Sequence, residues 1–182
     1  MTESSRPTGL NHLVINVRNM EETHRFWTEM LGFRKVGEFG AGDPSGPQMQ
    51  FYSGDHGAGR LSHHDIAFCE VPTLPAPGPD GNLISAIGHI AIGFADRETW
   101  LRQLAHLQSS GVKFEARVEH GPTHSLYIRD PNGYSVELLY ELPREVWEGD
   151  INASLNHYVT LPTEGPAALE DRTEGLPVFG GD

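Results

Sequence analysis

Two stretches, LNHLVINV at residues 10–17 and IGHIAIGF at residues 87–94, decide the fold of this chain. Each begins with an apolar residue, a small residue and a histidine, and then alternates in the manner of a half-buried strand. When the two stretches are aligned, His12 and His89 occupy equivalent positions. A shared pattern of this kind predicts an internal repeat.

Each of these strands is followed by a helical segment and three further strand-like runs. The helices are expected at residues 20–33 and 96–111, where apolar residues recur at helical spacing, with Asn19 and Asp96 as N-caps. The strand-like runs are residues 33–39, 49–54 and 63–68, then 112–118, 124–128 and 134–140. The order βαβββ, found twice, predicts an α+β fold: two modules forming one domain with a curved mixed sheet and flanking helices.

Composition divides the chain into five segments. These are an N-terminal arm at 1–8, a first module at 9–71, a proline-rich linker at 72–85, a second module at 86–141 and a C-terminal tail at 142–182. The tail is acidic, and we expect it to wrap the surface or to fray.

Charge and cysteine content narrow the function classes. The formal net charge of -12 argues against nucleic acid or an anionic membrane as a partner. With one cysteine, no disulfide can form within the chain, and neither a signal peptide nor a membrane-spanning run is recognisable. We therefore expect a cytoplasmic protein.

Strand alternation assigns a face to each candidate site residue. His12 and His89 oppose the aliphatic residues of their strands, and Glu137 does the same in the last strand. If a pseudo-two-fold axis relates the modules, His64 takes the place equivalent to Glu137, and four polar groups converge. Two neutral imidazoles and one carboxylate suit a divalent first-row ion. The residues thus predict a metal-binding domain, against the alternative of histidines held structurally by backbone carbonyls.

Several motifs carry a resemblance to a known family. They are 130-DPNGYSVE-137, HHDIAF at 63–68, GHIAI at 88–92 and HGPTH at 120–124, the last leading to Tyr127. Over residues 9–141 the chain resembles the vicinal oxygen chelate superfamily of glyoxalases, fosfomycin-resistance enzymes, bleomycin-binding proteins and extradiol dioxygenases. It is most similar to single-domain extradiol catechol dioxygenases.

The resemblance implies a role for each matched position. His12, His89 and Glu137 would be the metal ligands, and His64 an acid/base beside them. His120 and Tyr127 would be catalytic residues on the substrate side. The implied cofactor is Fe(II), with Mn(II) as the alternative, and the implied reaction is insertion of O2 into a catechol-type diol, as in the degradation of aromatic compounds.

Other substrate contacts are expected from position along the strands. The spacing before Tyr127 leaves both His120 and His124 as candidates to contact substrate, and strand parity favours His120. By strand alternation, Ile66 and Phe68 share a face with His64. They would form an apolar wall for the substrate ring, or alternatively fill the protein core. The neighbouring His63 has the opposite parity and is expected to be structural. The expected partners are a small aromatic diol, O2 and further copies of this chain in a dimer or higher homo-oligomer.

Other functions of the same fold make different demands. A glyoxalase-type isomerase or lyase would use His64 as a fourth ligand and a second carboxylate as base, for which Asp65 has the wrong parity. A fosfomycin-type thiol transferase needs a cationic pocket, and Arg129 is the obvious candidate on the Tyr127 face. A metal-free protein that binds an aromatic drug has no need of three metal-type residues.

Overall fold

The computed structural model describes residues 10–40, 48–79, 81 and 87–180. The predicted N-terminal arm and part of the predicted linker lie outside the described residues. The chain divides into two compact units, Met1–Pro75 and Ala76–Asp182.

The first unit is a mixed four-stranded sheet with one helical segment. Its strands are β1 (Leu13–Val17), β2 (Arg34–Phe39), β3 (Met49–Ser53) and β4 (Ile66–Glu70). They lie in the order β1-β4-β3-β2, and β1 and β4 are parallel while the other pairs are antiparallel. Helix α1 (Met20–Arg25) continues as a π-helix over Phe26–Met30.

The second unit repeats this arrangement and extends it. It contains β5 (Ile90–Phe94), α2 (Arg97–Ser109), β6 (Ala116–His120), β7 (Thr123–Arg129), β8 (Ser135–Glu141), α3 (Arg144–Trp147), α4 (Ile151–Leu155) and β9 (Tyr158–Leu161). The strand order is β5-β8-β7-β6-β9, with β5 and β8 parallel. Because the first four strands follow the order of the first unit, the predicted α+β fold of two βαβββ modules is confirmed.

Both helices that follow a first strand begin at the expected caps. Asn19 accepts a hydrogen bond from the backbone N–H of Glu22 at 3.0 Å, and Asp96 accepts one from that of Thr99 at 2.7 Å. The apolar faces of these helices bury Trp27 and Trp100 completely against their sheets. Within the described part of the chain, no helix combines the length and the apolar character needed to cross a membrane.

Strand β4 begins three residues later than the sequence pattern suggests, at Ile66 rather than at residue 63. The preceding loop is closed by Asp65, whose carboxylate accepts hydrogen bonds from Ser62 Oγ at 2.7 Å and from the N–H of Gly54 at 2.8 Å. These local bonds compete with the strand ladder and hold the loop out of it. Side-chain alternation therefore does not extend from β4 back to His64.

The acidic tail is an integral part of the second unit. Strand β9 pairs antiparallel with β6 from Arg117–Leu161 to His120–Tyr158, so the tail supplies the fifth strand of the sheet. Further along, Asp171 lies with its side chain fully buried and receives hydrogen bonds from Arg97, His124 and Tyr140. Of the two expectations for this segment, wrapping the surface or fraying, fraying is wrong, because long-range pairing satisfies its backbone and buries its polar groups.

Candidate functional site

A tight turn sets the register of the two strands that carry the site in the second unit. Asp130 accepts hydrogen bonds at its Oδ1 from the N–H groups of Asn132 and Tyr134, both at 2.9 Å, and its backbone N–H donates to the Tyr134 carbonyl at 3.0 Å. The β7–β8 ladder that follows pairs Tyr127 with Glu137. Paired residues project from the same face of a sheet, so the turn brings these two side chains together.

The carboxylate of Glu137 connects one predicted metal ligand with the predicted substrate side. Its Oε2 lies 3.0 Å from Nε2 of His89, and its Oε1 accepts a hydrogen bond from the hydroxyl of Tyr127 at 2.8 Å. Glu137 is buried, whereas the His89 ring is half exposed. The two oxygens are thus held in distinct directions, one by each neighbour.

His120, on the adjacent strand β6, adds a third member to the hydrogen-bonded pair of Tyr127 and Glu137. We call these three side chains the row. Nε2 of His120 lies 3.2 Å from the Tyr127 oxygen. Since the Tyr127 proton is donated to Glu137, Nε2 of His120 donates to the Tyr127 oxygen. A directed chain of hydrogen bonds therefore runs from His120 through Tyr127 to Glu137. Burial, followed by the hydrogen bond to Glu137, raises the pKa of Tyr127, so its phenol stays protonated and acts as a donor at neutral pH.

The first unit gathers three histidines at the start of its strands. The ring centroids of His12 and His64 are 4.4 Å apart, and Nδ1 of His63 lies 2.8 Å from Nδ1 of His64. Nδ1 of His12 is 2.7 Å from Oδ1 of Asn11. Because an amide oxygen only accepts, this contact puts the His12 proton on Nδ1 and leaves the Nε2 lone pair for a metal.

The pKa of His64 is lowered, mainly by desolvation and further by the neighbouring His12 and His63. All three effects oppose a positive charge on the His64 ring, so the ring is neutral at pH 7. The sequence predicted that His63 points to the opposite face from His64, but the structure places the two rings in contact. The reason is that both histidines precede β4, where no strand ladder enforces alternation.

The predicted apolar wall beside His64 lies on the other face of the sheet. On β3, Phe51 contacts His64 with ring centroids 5.0 Å apart, whereas the next residue, Tyr52, contacts Phe68 at 5.5 Å. Because Phe51 and Tyr52 are successive strand residues, they point to opposite faces of the sheet. Their contact partners, His64 and Phe68, therefore lie on opposite faces too. Ile66 and Phe68 are both buried in the helix-side core. The structure therefore does not bring them to a surface that a substrate could reach.

His124 is likewise removed from the row formed by His120, Tyr127 and Glu137. Its ring is 1% exposed, and Nδ1 lies 2.7 Å from Asp171 and 3.1 Å from the Tyr140 hydroxyl. Alternation along β7 puts this ring on the helix side of the sheet, opposite to Tyr127. Of the two histidines that the spacing leaves open, the structure brings His120 to Tyr127 and makes His124 a buried polar group of the core.

The predicted metal ligands fall in the two units, with His12 in the first and both His89 and Glu137 in the second. Within either unit, the described residues contain no group of three His, Cys, Asp or Glu side chains placed to hold a metal. The pair formed by His89 and Glu137 is nevertheless assembled, and it offers one nitrogen and one oxygen donor. These donor types suit a divalent first-row ion.

Sequence reasoning missed one aromatic residue of this face, Tyr158 on β9. Its ring contacts that of His120 with centroids 5.6 Å apart. The run YVTL at 158–161 carries a strand signal, since β-branched and aromatic residues dominate it. Its pairing with a strand about forty residues earlier is a long-range contact that no local pattern encodes.

Comparison with known proteins identifies the family. The model of the Glyoxalase/Bleomycin resistance protein/Dioxygenase superfamily matches residues 9–138. Biphenyl-2,3-diol 1,2-dioxygenase 3 of Rhodococcus globerulus is 28% identical over 131 residues, which are 71% of this chain and 61% of that protein. The probable lactoylglutathione lyase of Synechocystis is 24% identical over 131 residues, 71% of this chain and 93% of that protein. The chain thus spans less than two thirds of the dioxygenase and nearly all of the lyase.

The solved structures agree on the fold. The fosfomycin resistance protein FosX of Listeria monocytogenes, in complex with Mn(II) and sulfate, superimposes with a TM-score of 0.54 at 17% identity. The match covers 77% of this chain and 98% of that one. At this level of identity the likeness concerns the fold.

Proposed function

Because the chain belongs to the glyoxalase/bleomycin resistance protein/dioxygenase superfamily, we propose that it is an Fe(II)-dependent extradiol dioxygenase acting on a catechol-type aromatic diol. The observation that carries the proposal is the hydrogen-bonded row of His120, Tyr127 and Glu137, with His89 at its end. This row joins a metal-type pair directly to two polar groups that can orient a substrate. The dioxygenase among the relatives supports the same reaction class.

The residues present in the second unit fit a divalent metal. His89 and Glu137 are the proposed ligands from this unit, and His12 stays a prediction from the sequence. The buried Glu137 keeps one oxygen toward the half-exposed imidazole, where a cation would neutralise its charge. When bound, Fe(II), or Mn(II) in its place, would bring both hydroxyls of a diol and dioxygen to one ion.

The chain's own residues orient the reactants around this pair. Tyr127 fixes the rotation of the Glu137 carboxylate by occupying Oε1, so that Oε2 remains directed at His89. His120 in turn polarises the Tyr127 hydroxyl by donating to its oxygen. A diol bound beside Tyr127 would meet side chains whose orientations these hydrogen bonds already fix. The resemblance assigns proton transfer to the neutral imidazole of His64.

A lyase or isomerase is the rival function, because the lactoylglutathione lyase relative is matched over 93% of its length. Such an enzyme needs a second carboxylate as base. Asp65 is already engaged by Ser62, Gly54 and His56, the last with Nε2 at 2.9 Å. The carboxylate is therefore committed to closing its own loop, which favours the dioxygenase over the isomerase.

Oxygen uptake tests the proposal. Purified protein is loaded with Fe(II) without oxygen and then mixed with O2 and a panel of mono- and bicyclic catechols, with monophenols as controls. We expect one O2 consumed per diol, a yellow ring-fission product, and no reaction of monophenols, which lack the second hydroxyl. Absence of uptake with every diol, together with isomerisation of a glutathione hemithioacetal, would overturn the proposal in favour of the rival.

A further inference from the structure

Strand β9 adds Tyr158 to the face of the sheet that carries the site. This residue lies beyond residues 9–138, the segment that the family model matches. The β6–β9 ladder pairs His120 with Tyr158 and Glu119 with Val159. Paired residues share a face and successive residues alternate. Tyr158 therefore projects to the side of His120 and Tyr127, whereas Val159 projects to the side of the helix.

The rings on this face form a continuous aromatic row. Centroid distances are 5.8 Å between His89 and Tyr127, 6.5 Å between Tyr127 and His120, and 5.6 Å between His120 and Tyr158. Tyr158 as a residue is 61% exposed, so this end of the row is accessible to a ligand. The row thus runs from the proposed metal pair to an open aromatic surface.

The position of Tyr158 is fixed by close backbone packing. Gly121, next to His120, donates its N–H to the Ser154 carbonyl of α4 at 3.2 Å, and a Cβ at Gly121 would lie 2.4 Å from that oxygen. The His157 N–H also donates to Ser154, at 3.1 Å, and its ring packs on Phe179. The start of β9 is therefore held against the β6–β7 turn.

We propose that Tyr158 is a specificity-determining residue that packs against an aromatic substituent of the diol, so that the enzyme favours biaryl diols over monocyclic catechols. The inference rests on the proposed function and deepens it. Glu137 and Tyr158 lie on strands three inter-strand spacings apart, roughly 14 Å across the sheet. Tyr158 is also displaced along the strands, because its partner His120 is four residues from Ala116, which pairs with Tyr127. A single diol ring held at His89 and Glu137 does not bridge this distance, whereas a second ring attached to it extends along the row toward Tyr158.

Binding in the absence of oxygen tests the inference independently of turnover. Dissociation constants for biphenyl-2,3-diol and catechol are measured by titration calorimetry on anaerobic Fe(II)-loaded protein. Tyr158→Ala is compared with Tyr158→Leu, which keeps apolar bulk without the ring, and with Val159→Ala on the opposite face. From the strength of aromatic pairs, we expect Tyr158→Ala to weaken biphenyl-2,3-diol binding about three- to tenfold and catechol binding less than twofold.

The outcomes separate this inference from the proposed reaction. Selective weakening in Tyr158→Ala and, to a smaller degree, in Tyr158→Leu supports the role of the ring, even if the wild-type protein consumes no oxygen. Equal weakening for both diols, a similar effect of Val159→Ala, or wild-type protein that binds biphenyl-2,3-diol no more tightly than catechol would overturn it. Thermal unfolding of each variant identifies any loss of folded protein.

Discussion

Tyr127 and Glu137 are joined twice: they pair across the β7–β8 ladder, and the phenol of Tyr127 donates a 2.8 Å hydrogen bond to Oε1 of Glu137. The ladder places the two backbones, and the hydrogen bond fixes the rotation of the carboxylate. Because Oε2 then faces His89 at 3.0 Å, the direction of the proposed metal ligand depends on a neighbour that is not itself a ligand.

Tyr127→Phe removes the hydroxyl that holds Glu137 while keeping the ring. We expect metal affinity to fall about tenfold, as for loss of a group that orients a ligand, and kcat/KM for a diol to fall at least as much. A competition titration with a metal-binding dye measures the affinity. Tyr134→Phe, which likewise removes only a hydroxyl group but at the β7–β8 turn, serves as the control. Equal metal affinity in wild type and Tyr127→Phe would contradict the orienting role.

Glu137→Gln replaces the proposed carboxylate ligand with an isosteric amide. We expect bound iron or manganese to fall from about one per chain to near zero, because the neutral amide is a much weaker ligand for a first-row cation. Elemental analysis after anaerobic loading measures this. Glu98→Gln, an exposed position on α2 paired with Arg102, is the matched control. Undiminished metal in Glu137→Gln would show that another set of residues binds it.

His64→Phe separates proton transfer from metal binding. We expect the variant to retain its metal and to lose turnover by about 10²- to 10⁴-fold, as for removal of a general acid/base. Steady-state oxygen uptake and metal analysis on the same preparation provide both numbers, with His106→Phe on α2 as control. If metal and activity are lost together, His64 is a ligand, as an isomerase would require.

Gly121→Ala introduces a Cβ 2.4 Å from the Ser154 carbonyl and 2.7 Å from its Cα, two backbone atoms that cannot move aside cheaply. We expect a loss of about 1–3 kcal/mol in the free energy of unfolding and faster amide exchange over β9. Urea unfolding and hydrogen exchange measure the two effects. At Gly37 a Cβ would meet only Phe51, at an ordinary 3.8 Å, so Gly37→Ala is the control. Unchanged exchange in β9 would show that the tail is held by other contacts.

The carboxylate of Asp171 makes the stability of the fold decrease at acidic pH. Burial alone would raise its pKa, but hydrogen bonds from His124, Tyr140 and Arg97 outweigh burial and hold the pKa below its usual range. A carboxyl group with a lowered pKa stabilises the fold fully above its unfolded-state value, about 3.9. That contribution is lost as the pH falls through the folded-state value.

Asp171→Asn should therefore be destabilised by about 3 kcal/mol at pH 7, because the buried Arg117 and the partly exposed Arg97 lose their counter-charge. Its stability should also fall less between pH 5 and pH 3 than that of the wild type. Urea unfolding across this range provides the test. Asp55→Asn is the control, since an amide oxygen can still accept from Gly57 and Gly59. Parallel pH profiles for wild type and Asp171→Asn would exclude this role of the carboxylate.

Local patterns in the sequence were sufficient for the elements of the two βαβββ modules and for their order. The strands at 10–17 and 87–94 are marked by their local alternation, and the caps Asn19 and Asp96 and the DPNG turn depend on contacts within a few residues. Such contacts are encoded by neighbouring side chains. The α+β repeat, the two helices and the turn ahead of Glu137 could therefore be predicted, and the structure agrees with them.

The tertiary structure decided every placement that depends on loops or on distant pairing. Alternation predicted the faces of residues within strands, but it failed at His63 and His64, because the hydrogen bonds of Asp65 hold their loop outside the ladder. The contact between His124 and Asp171 spans 47 residues, and that between β6 and β9 joins the tail to the site. These pairings form only when the chain closes on itself, so no local pattern reports them. The sequence alone therefore identified the candidate site residues, and folding brought the ring of Tyr158 to His120 while it buried His124 against Asp171.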